Sequence, residues 1–190
     1  MEGNVKISRA VAFAANAHLT QKRKGTDRPY IYHLLKTMEY LIQMGADDNL
    51  VIAGLLHDVL EDTGVTYDEV VKEFGEKVAG LVKAHSEDKS KTWRERKMHT
   101  IELCVNAPLE VRLLIMADTM ANLYDTCKDV QEVGDELWER FNTTKPKQAW
   151  YYRSKVLALE DDIADQYPEQ YKELCVMYDK VFGKELDDVN

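Results

Sequence analysis

A chain of 190 residues, 45% hydrophobic and 31% charged, supports one hydrophobic core and excludes a disordered or fibrous polymer. Its formal charge of −9, with no stripe of Lys and Arg, excludes a basic surface for duplex nucleic acid or an anionic membrane. A phosphate-bearing ligand then needs local positive charge, from Lys22-Arg23-Lys24 with Arg28 or from a bound metal.

Helical spacing runs from end to end, with Gly and Pro between the periodic segments, so the chain reads as all-α. A first helix covers about residues 6 to 22, with Val11, Ala14, Ala15 and His18 on one face, and breaks at Gly25. Beyond the Lys22–Arg28 loop, Pro29 suits the first turn of a second helix, where its missing N–H is no loss, and Gly45 suits the end. His33 lies on that helix. Asp47 or Asp48 caps a third helix, whose apolar run Leu50 to Leu56 continues through His57-Asp58 to Glu61-Asp62. Thr66 with Glu69 and Thr92 with Glu95 match the capping box and start two more helices, with a short one from about Glu76 to Lys83 between them. Pro108 opens a long helix whose strip Val111, Leu114, Ile115, Asp118 and Asn122 faces one way. After Asn142-Thr143-Thr144-Lys145-Pro146, two aromatic-rich helices divided at Tyr167-Pro168 form a packing appendage, and the acidic tail from Glu185 to Asp188 is a solvated end.

Cys104, Cys127 and Cys175 form no CxxC pair, so neither a disulfide framework nor a cysteine zinc site is expected, and a reducing cytoplasm fits. Met1-Glu2-Gly3-Asn4 lacks a secretory signature, and no apolar run nears the roughly 18 residues of a membrane span. A soluble cytoplasmic protein is expected.

The chemistry concentrates at His57, Asp58, Glu61 and Asp62. On one continuous helix, His57 with Glu61 and Asp58 with Asp62 form adjacent rows, one able to ligate while the other faces substrate. Buried ionisable groups at this density require a compensating charge, which a divalent cation supplies. His33 and Asp118 complete two imidazoles and two carboxylates from three helices, a mixed set that suits Mn²⁺, Fe²⁺ or Zn²⁺. His18, His85 and His99 read as structural histidines outside this set. Trp93, Trp138, Trp150, Tyr151 and Tyr152 read as core or subunit contacts, which leaves an oligomer possible.

The order His, His-Asp, Asp resembles that of the HD-domain metal phosphohydrolases, specifically the hydrolase domain of RelA/SpoT-type enzymes. The matching segments are Arg23-Lys24 leading to Pro29-Tyr30-Ile31-Tyr32-His33, then His57-Asp58-Val59-Leu60-Glu61-Asp62-Thr63. Phe74-Gly75-Glu76-Lys77-Val78-Ala79 with Leu81-Val82, Glu87-Asp88-Lys89-Ser90, and Ala117-Asp118 with Asn122-Leu123 follow in the same order. The resemblance implies an HD-type helical core over residues 1–145, with the helices of 146–190 packed on the same domain, and a stand-alone small alarmone hydrolase. It implies one divalent ion, Mn²⁺ by preference, held by His33, His57, Asp58 and Asp118. It also implies removal of pyrophosphate from the 3′ position of guanosine tetra- or pentaphosphate, with Glu61 and Asp62 as the catalytic pair. Arg23, Lys24 and Asn122 would contact the nucleotide, and Lys89 is a looser match. Leu34, Thr119 and Tyr124 stand where the family usually has a proline, a basic residue and an arginine, so two cations near the substrate are missing. NADPH, an adenosine alarmone or a nucleoside monophosphate are therefore alternative substrates. A non-catalytic nucleotide sensor is a further alternative, against which the retained Glu61 and Asp62 speak.

Overall fold

The run from Leu50 to Leu56 is apolar on every face, and such a helix is stable only when covered all round. In the computed structural model, which describes residues 2–183, helix α3 (Asp48–Leu56) is that covered axis. Around it lie α1 (Glu2–Ala17), α2 (Ile31–Gln43), α6 (Glu76–His85) and the 25-residue α8 (Leu109–Val133). All seven residues from Leu50 to Leu56 are buried, each large one contributing roughly 1.5–3 kcal/mol. Among the described residues the remaining elements are helical too, apart from one isolated bridge between Lys22 and Pro29. The fold is all-α, as expected.

Local chemistry sets most boundaries. The Asp47 side chain accepts from Leu50 N at the start of α3, and both predicted capping boxes form, opening α5 (Tyr67–Phe74) and α7 (Trp93–Asn106). Gly54 allows the close crossing of α2 on α3, because a Cβ there would run into Leu41 Cδ1.

Four expectations are corrected. Helix α1 ends at Ala17 rather than near residue 22, because the chain turns over the buried His18, whose Nδ1 pairs with Gln21 Oε1 at 2.5 Å. Pro29 precedes α2 instead of entering its first turn. Residues 21–30 close on themselves through Arg23 N–Arg28 O and Tyr30 N–Gln21 O at 2.8 and 3.0 Å, with Gly25 at φ 71° making the turn. Helix α3 stops at Leu56, and a separate turn, α4 (Val59–Asp62), follows. The C-terminal region holds α9 (Lys145–Ala158), a short α10 (Asp161–Gln166) and α11 (Pro168–Phe182), and a 3-10 helix (Gly134–Arg140) precedes them.

Helix α9 packs on α7, and α11 on α8. The three cysteines are free, and among the described residues no helix is long and apolar enough to cross a membrane. The acidic tail lies outside the described residues.

Candidate metal centre

The interruption after Leu56 builds the centre. Adjacent residues on a continuous helix point about 100° apart and do not face each other. With Asp58 at φ −99° and ψ −4°, its Oδ2 instead lies 2.9 Å from His57 Nε2. The predicted rows are thereby broken. Glu61 lines one cavity together with Asp58, His33 and Asp118, whereas Asp62 lines a neighbouring cavity together with Arg23 and Lys24.

The four predicted ligands converge. His57 Nδ1 donates to Gly54 O at 2.7 Å, which leaves Nε2 facing the cluster. His33 Nε2 stands 3.2 Å from His57 Nε2, 3.7 Å from Asp58 Oδ2 and 3.2 Å from Asp118 Oδ1. Asp118 Oδ1 is also 3.5 Å from His57 Nε2. One donor atom each from His33, His57 and Asp58 lies within 4.8 Å of the others. Ligands about 2.1 Å from one ion stand about 3 Å apart at right angles, so the donor set and its spacing fit a divalent cation. Tyr30 Oη donates to Asp58 Oδ2 at 2.6 Å, and Asn122 Nδ2 donates to Asp118 Oδ1 at 2.6 Å.

Electrostatics carries the same signature. Burial lowers the pKa of His33. Burial also opposes a charge on His57, but the Asp58 and Asp118 carboxylates outweigh it and raise its pKa well above the usual value. Burial alone would raise both carboxylates. Instead His57 holds Asp58 below its ordinary range, and hydrogen bonds from His33, His57 and His85 do the same for Asp118. Glu61, desolvated and close to Asp58, is pushed up.

His85, expected outside the site, belongs to it. Its ring meets His57 edge-on at 5.0 Å, and its Nε2 lies 3.7 Å from Asp118 Oδ2. With Asp58 and Glu61 it forms a second group of donors within 4.8 Å of one another. The signal was present in the sequence, since His85 continues the buried register of Val78, Leu81 and Val82 on α6. His18 stacks on Tyr30 at 5.0 Å and so sits behind the centre, while His99 lines a separate groove with Leu60 and Lys89.

The main cavity encloses about 270 Å³, and its far wall comes from α7 and α9: Trp93, Lys97, Gln148, Tyr151, Tyr152 and Lys155. Trp93, Tyr151 and Tyr152, expected as core or subunit contacts, do make ring contacts in the order Trp93–Tyr151–Tyr152, and they line this cavity as well. Trp138 and Trp150 do keep to packing, against Phe182 and Trp93 respectively. Neither Gln148 nor Lys155 was singled out in the sequence, because nothing local marks a residue that reaches a site from another helix.

A second cavity of about 280 Å³ shares Tyr30 and Asn122 with the first. Arg23 spans the junction, donating to Asn122 Oδ1 at 2.8 Å, pairing with Asp125 at 3.0 Å and lying 5.5 Å over the Tyr30 ring. Lys24 Nζ reaches Asn142 Oδ1 at 3.1 Å, and Lys89 Nζ reaches Asp62 Oδ1 at 3.1 Å. Leu34 is core, and the Tyr124 ring lies under Lys36 and Lys128 at 4.4 and 4.3 Å.

Several curated relatives share one description. A guanosine-3′,5′-bis(diphosphate) 3′-pyrophosphohydrolase of Aquifex aeolicus is 32% identical over 179 residues, covering 89% of this chain. The chain spans only 25% of that relative's length. Proteins of the same description named MESH1 match too: the Drosophila melanogaster one is 34% identical over 125 residues, 64% of this chain and 70% of the relative. The Homo sapiens one is 37% identical over 123 residues, 63% and 69% respectively. A crystal structure from Listeria monocytogenes EGD-e superposes with a TM-score of 0.74 at 33% identity, covering 80% of this chain and 99% of that one. A structure described as a metazoan ortholog of SpoT that hydrolyzes ppGpp superposes with a TM-score of 0.74 at 27% identity, covering 91% and 93%. The family model described as HD domain matches residues 10–141, the stretch that carries all four converging side chains, and the chain belongs to the HD-domain family.

Proposed function

We propose that the protein is a metal-dependent phosphohydrolase that removes pyrophosphate from the 3′ position of guanosine tetra- or pentaphosphate. The observation that carries the reading is the convergence of His33, His57, Asp58 and Asp118 within 3.7 Å contacts at the floor of a cavity that also holds Glu61. The names of the relatives support the substrate. Residues 1–145 are read as the phosphohydrolase core, and the helices of 146–190 as part of the same domain; Tyr151 and Tyr152 on the cavity wall favour this.

His33, His57, Asp58 and Asp118 would hold one divalent ion, Mn²⁺ by preference, since two imidazoles and two carboxylates suit a borderline to hard cation. When bound, such an ion lowers the pKa of a coordinated water towards roughly 7 and polarises a phosphoryl oxygen. The protein's own groups do the rest. Glu61 faces the cavity with a raised proton affinity, and Glu87 N donates to its Oε1 at 2.8 Å. That fixes the carboxylate to take a proton from the attacking water at Oε2. Asp62, fixed by Gln21 Nε2 and Lys89 Nζ at 3.1 Å each, acts from the second cavity, beside the nucleotide-binding set. Arg23, Lys24 and Asn122 would clamp the nucleotide across the junction of the two cavities, Arg23 through its planar guanidinium.

The test is incubation of the Mn²⁺-loaded protein with guanosine tetraphosphate, NADPH and an adenosine alarmone, with the released group identified by ion-exchange chromatography. Pyrophosphate from the guanosine substrate, stopped by a chelator, is expected. Orthophosphate as the product, or tight binding without turnover, rejects the reading.

A further inference from the structure

The main cavity carries four carboxylates, Asp58, Glu61, Glu87 and Asp118, and only two lysines, Lys97 and Lys155. A cavity of that balance repels a phosphate unless positive charge is placed where the phosphate sits. Lys97 is already committed, with Nζ 2.6 Å from Glu87 Oε1. Lys155 is not. It is 2% exposed, and its Nζ donates to Thr119 Oγ1 at 2.8 Å. The Tyr151 and Tyr152 rings lie 4.3 and 4.6 Å from it. Among the described residues no carboxylate lies within 4.0 Å of it, and its other two N–H groups have no acceptor in the hydrogen-bond network.

A buried ammonium with no carboxylate in direct contact is costly to the fold, with Asp118 and Glu87 acting on it only from a distance. Thr119 cannot satisfy it further, because the same hydroxyl donates to Ile115 O at 2.6 Å.

We propose that Lys155 is the cation of an anion subsite on the α8–α9 side of the cavity, which binds a phosphate group of the substrate across from the metal cluster. The two aromatic rings shield the ammonium, and Lys155 lines the cavity. Its burial also pulls its pKa down to about 8, which leaves it charged at neutral pH. The proposal rests on the phosphohydrolase reading for the nature of the ligand.

The test uses inorganic pyrophosphate as the probe, titrated calorimetrically into the full chain with Mn²⁺ and again in excess chelator. Thermal unfolding is measured alongside. Lys155→Met is expected to weaken pyrophosphate binding at least about tenfold in both conditions, the loss of one charge-assisted contact, and to raise the unfolding temperature. Thr119→Lys combined with Lys155→Met, which moves the cation from α9 to α8, is expected to restore binding. Unchanged pyrophosphate affinity in Lys155→Met overturns the proposal, as does a lowered unfolding temperature with binding intact, the mark of a purely structural lysine. Because the probe needs no turnover, failure of guanosine tetraphosphate hydrolysis in the wild type counts against the functional reading alone.

Discussion

At the scale of single residues, the centre separates groups by what each is asked to do. Asp58 touches both imidazoles and accepts from Tyr30, so Asp58→Ala is expected to abolish metal uptake and to lower turnover at least about a thousandfold. Glu61→Gln keeps the shape of the side chain and is expected to leave metal content unchanged while lowering kcat by about 10²–10⁴-fold. Metal content by atomic emission, measured beside steady-state rates, distinguishes the two; near-full activity of Glu61→Gln refutes its role. Lys155 yields a pH prediction with a definite sign. Its pKa falls from the ordinary 10.5 to about 8, so between these values the unfolded chain binds the proton more tightly and stability rises with pH. Asp118 on α8, Lys97 and Cys104 on α7, and Glu87 are the charged or titratable groups that act on it. The stability advantage of Lys155→Met should accordingly be largest below pH 8 and vanish near pH 10.5, as followed by urea unfolding across that range. An advantage independent of pH would disprove it.

At the scale of elements, the capping boxes were legible because their physics is local: a hydroxyl and a carboxylate three residues apart satisfy each other's backbone donors. Helix α7 presents Trp93 and Lys97 to the cavity just beyond its cap. Thr92→Ala should cost about 1 kcal/mol of stability and raise KM more than it changes metal affinity, because only the α7 wall loosens. Equal loss of metal affinity would show that the wall and the metal cluster are not separable. The break between α3 and α4 was not legible. Leu50 to Glu61 carries no Gly or Pro at the break, and the periodicity reads straight through it. What ends α3 is the pull of His57 and Asp58 on one centre shared with His33 and Asp118, a contact between distant segments.

At the scale of the whole molecule, the cluster ties α2, the α3–α4 turn and α8 together around the core. An ion bound there binds only the native state, so a divalent metal at 100 times its Kd should add about 2.7 kcal/mol of stability. A rise in unfolding temperature with Mn²⁺, reversed by chelator and absent in Asp118→Ala, is the expected outcome. A rise that survives in Asp118→Ala would place the ion elsewhere.

Residue type, helical period and motif order by themselves determined the all-α class, the candidate set His33, His57, Asp58 and Asp118, and the family resemblance, because each is written in the identity and order of residues along the chain. The tertiary structure alone decided that Glu61 and Asp62 part into different cavities, that the buried face of α6, legible in its register, meets the cluster through His85, and that α9 supplies Tyr151, Tyr152 and Lys155 to the wall. The reason is physical: helix propensity, capping and amphipathic period act over a few residues, whereas cavities form where helices far apart in the chain pack, and no local pattern encodes which side chain then faces inward.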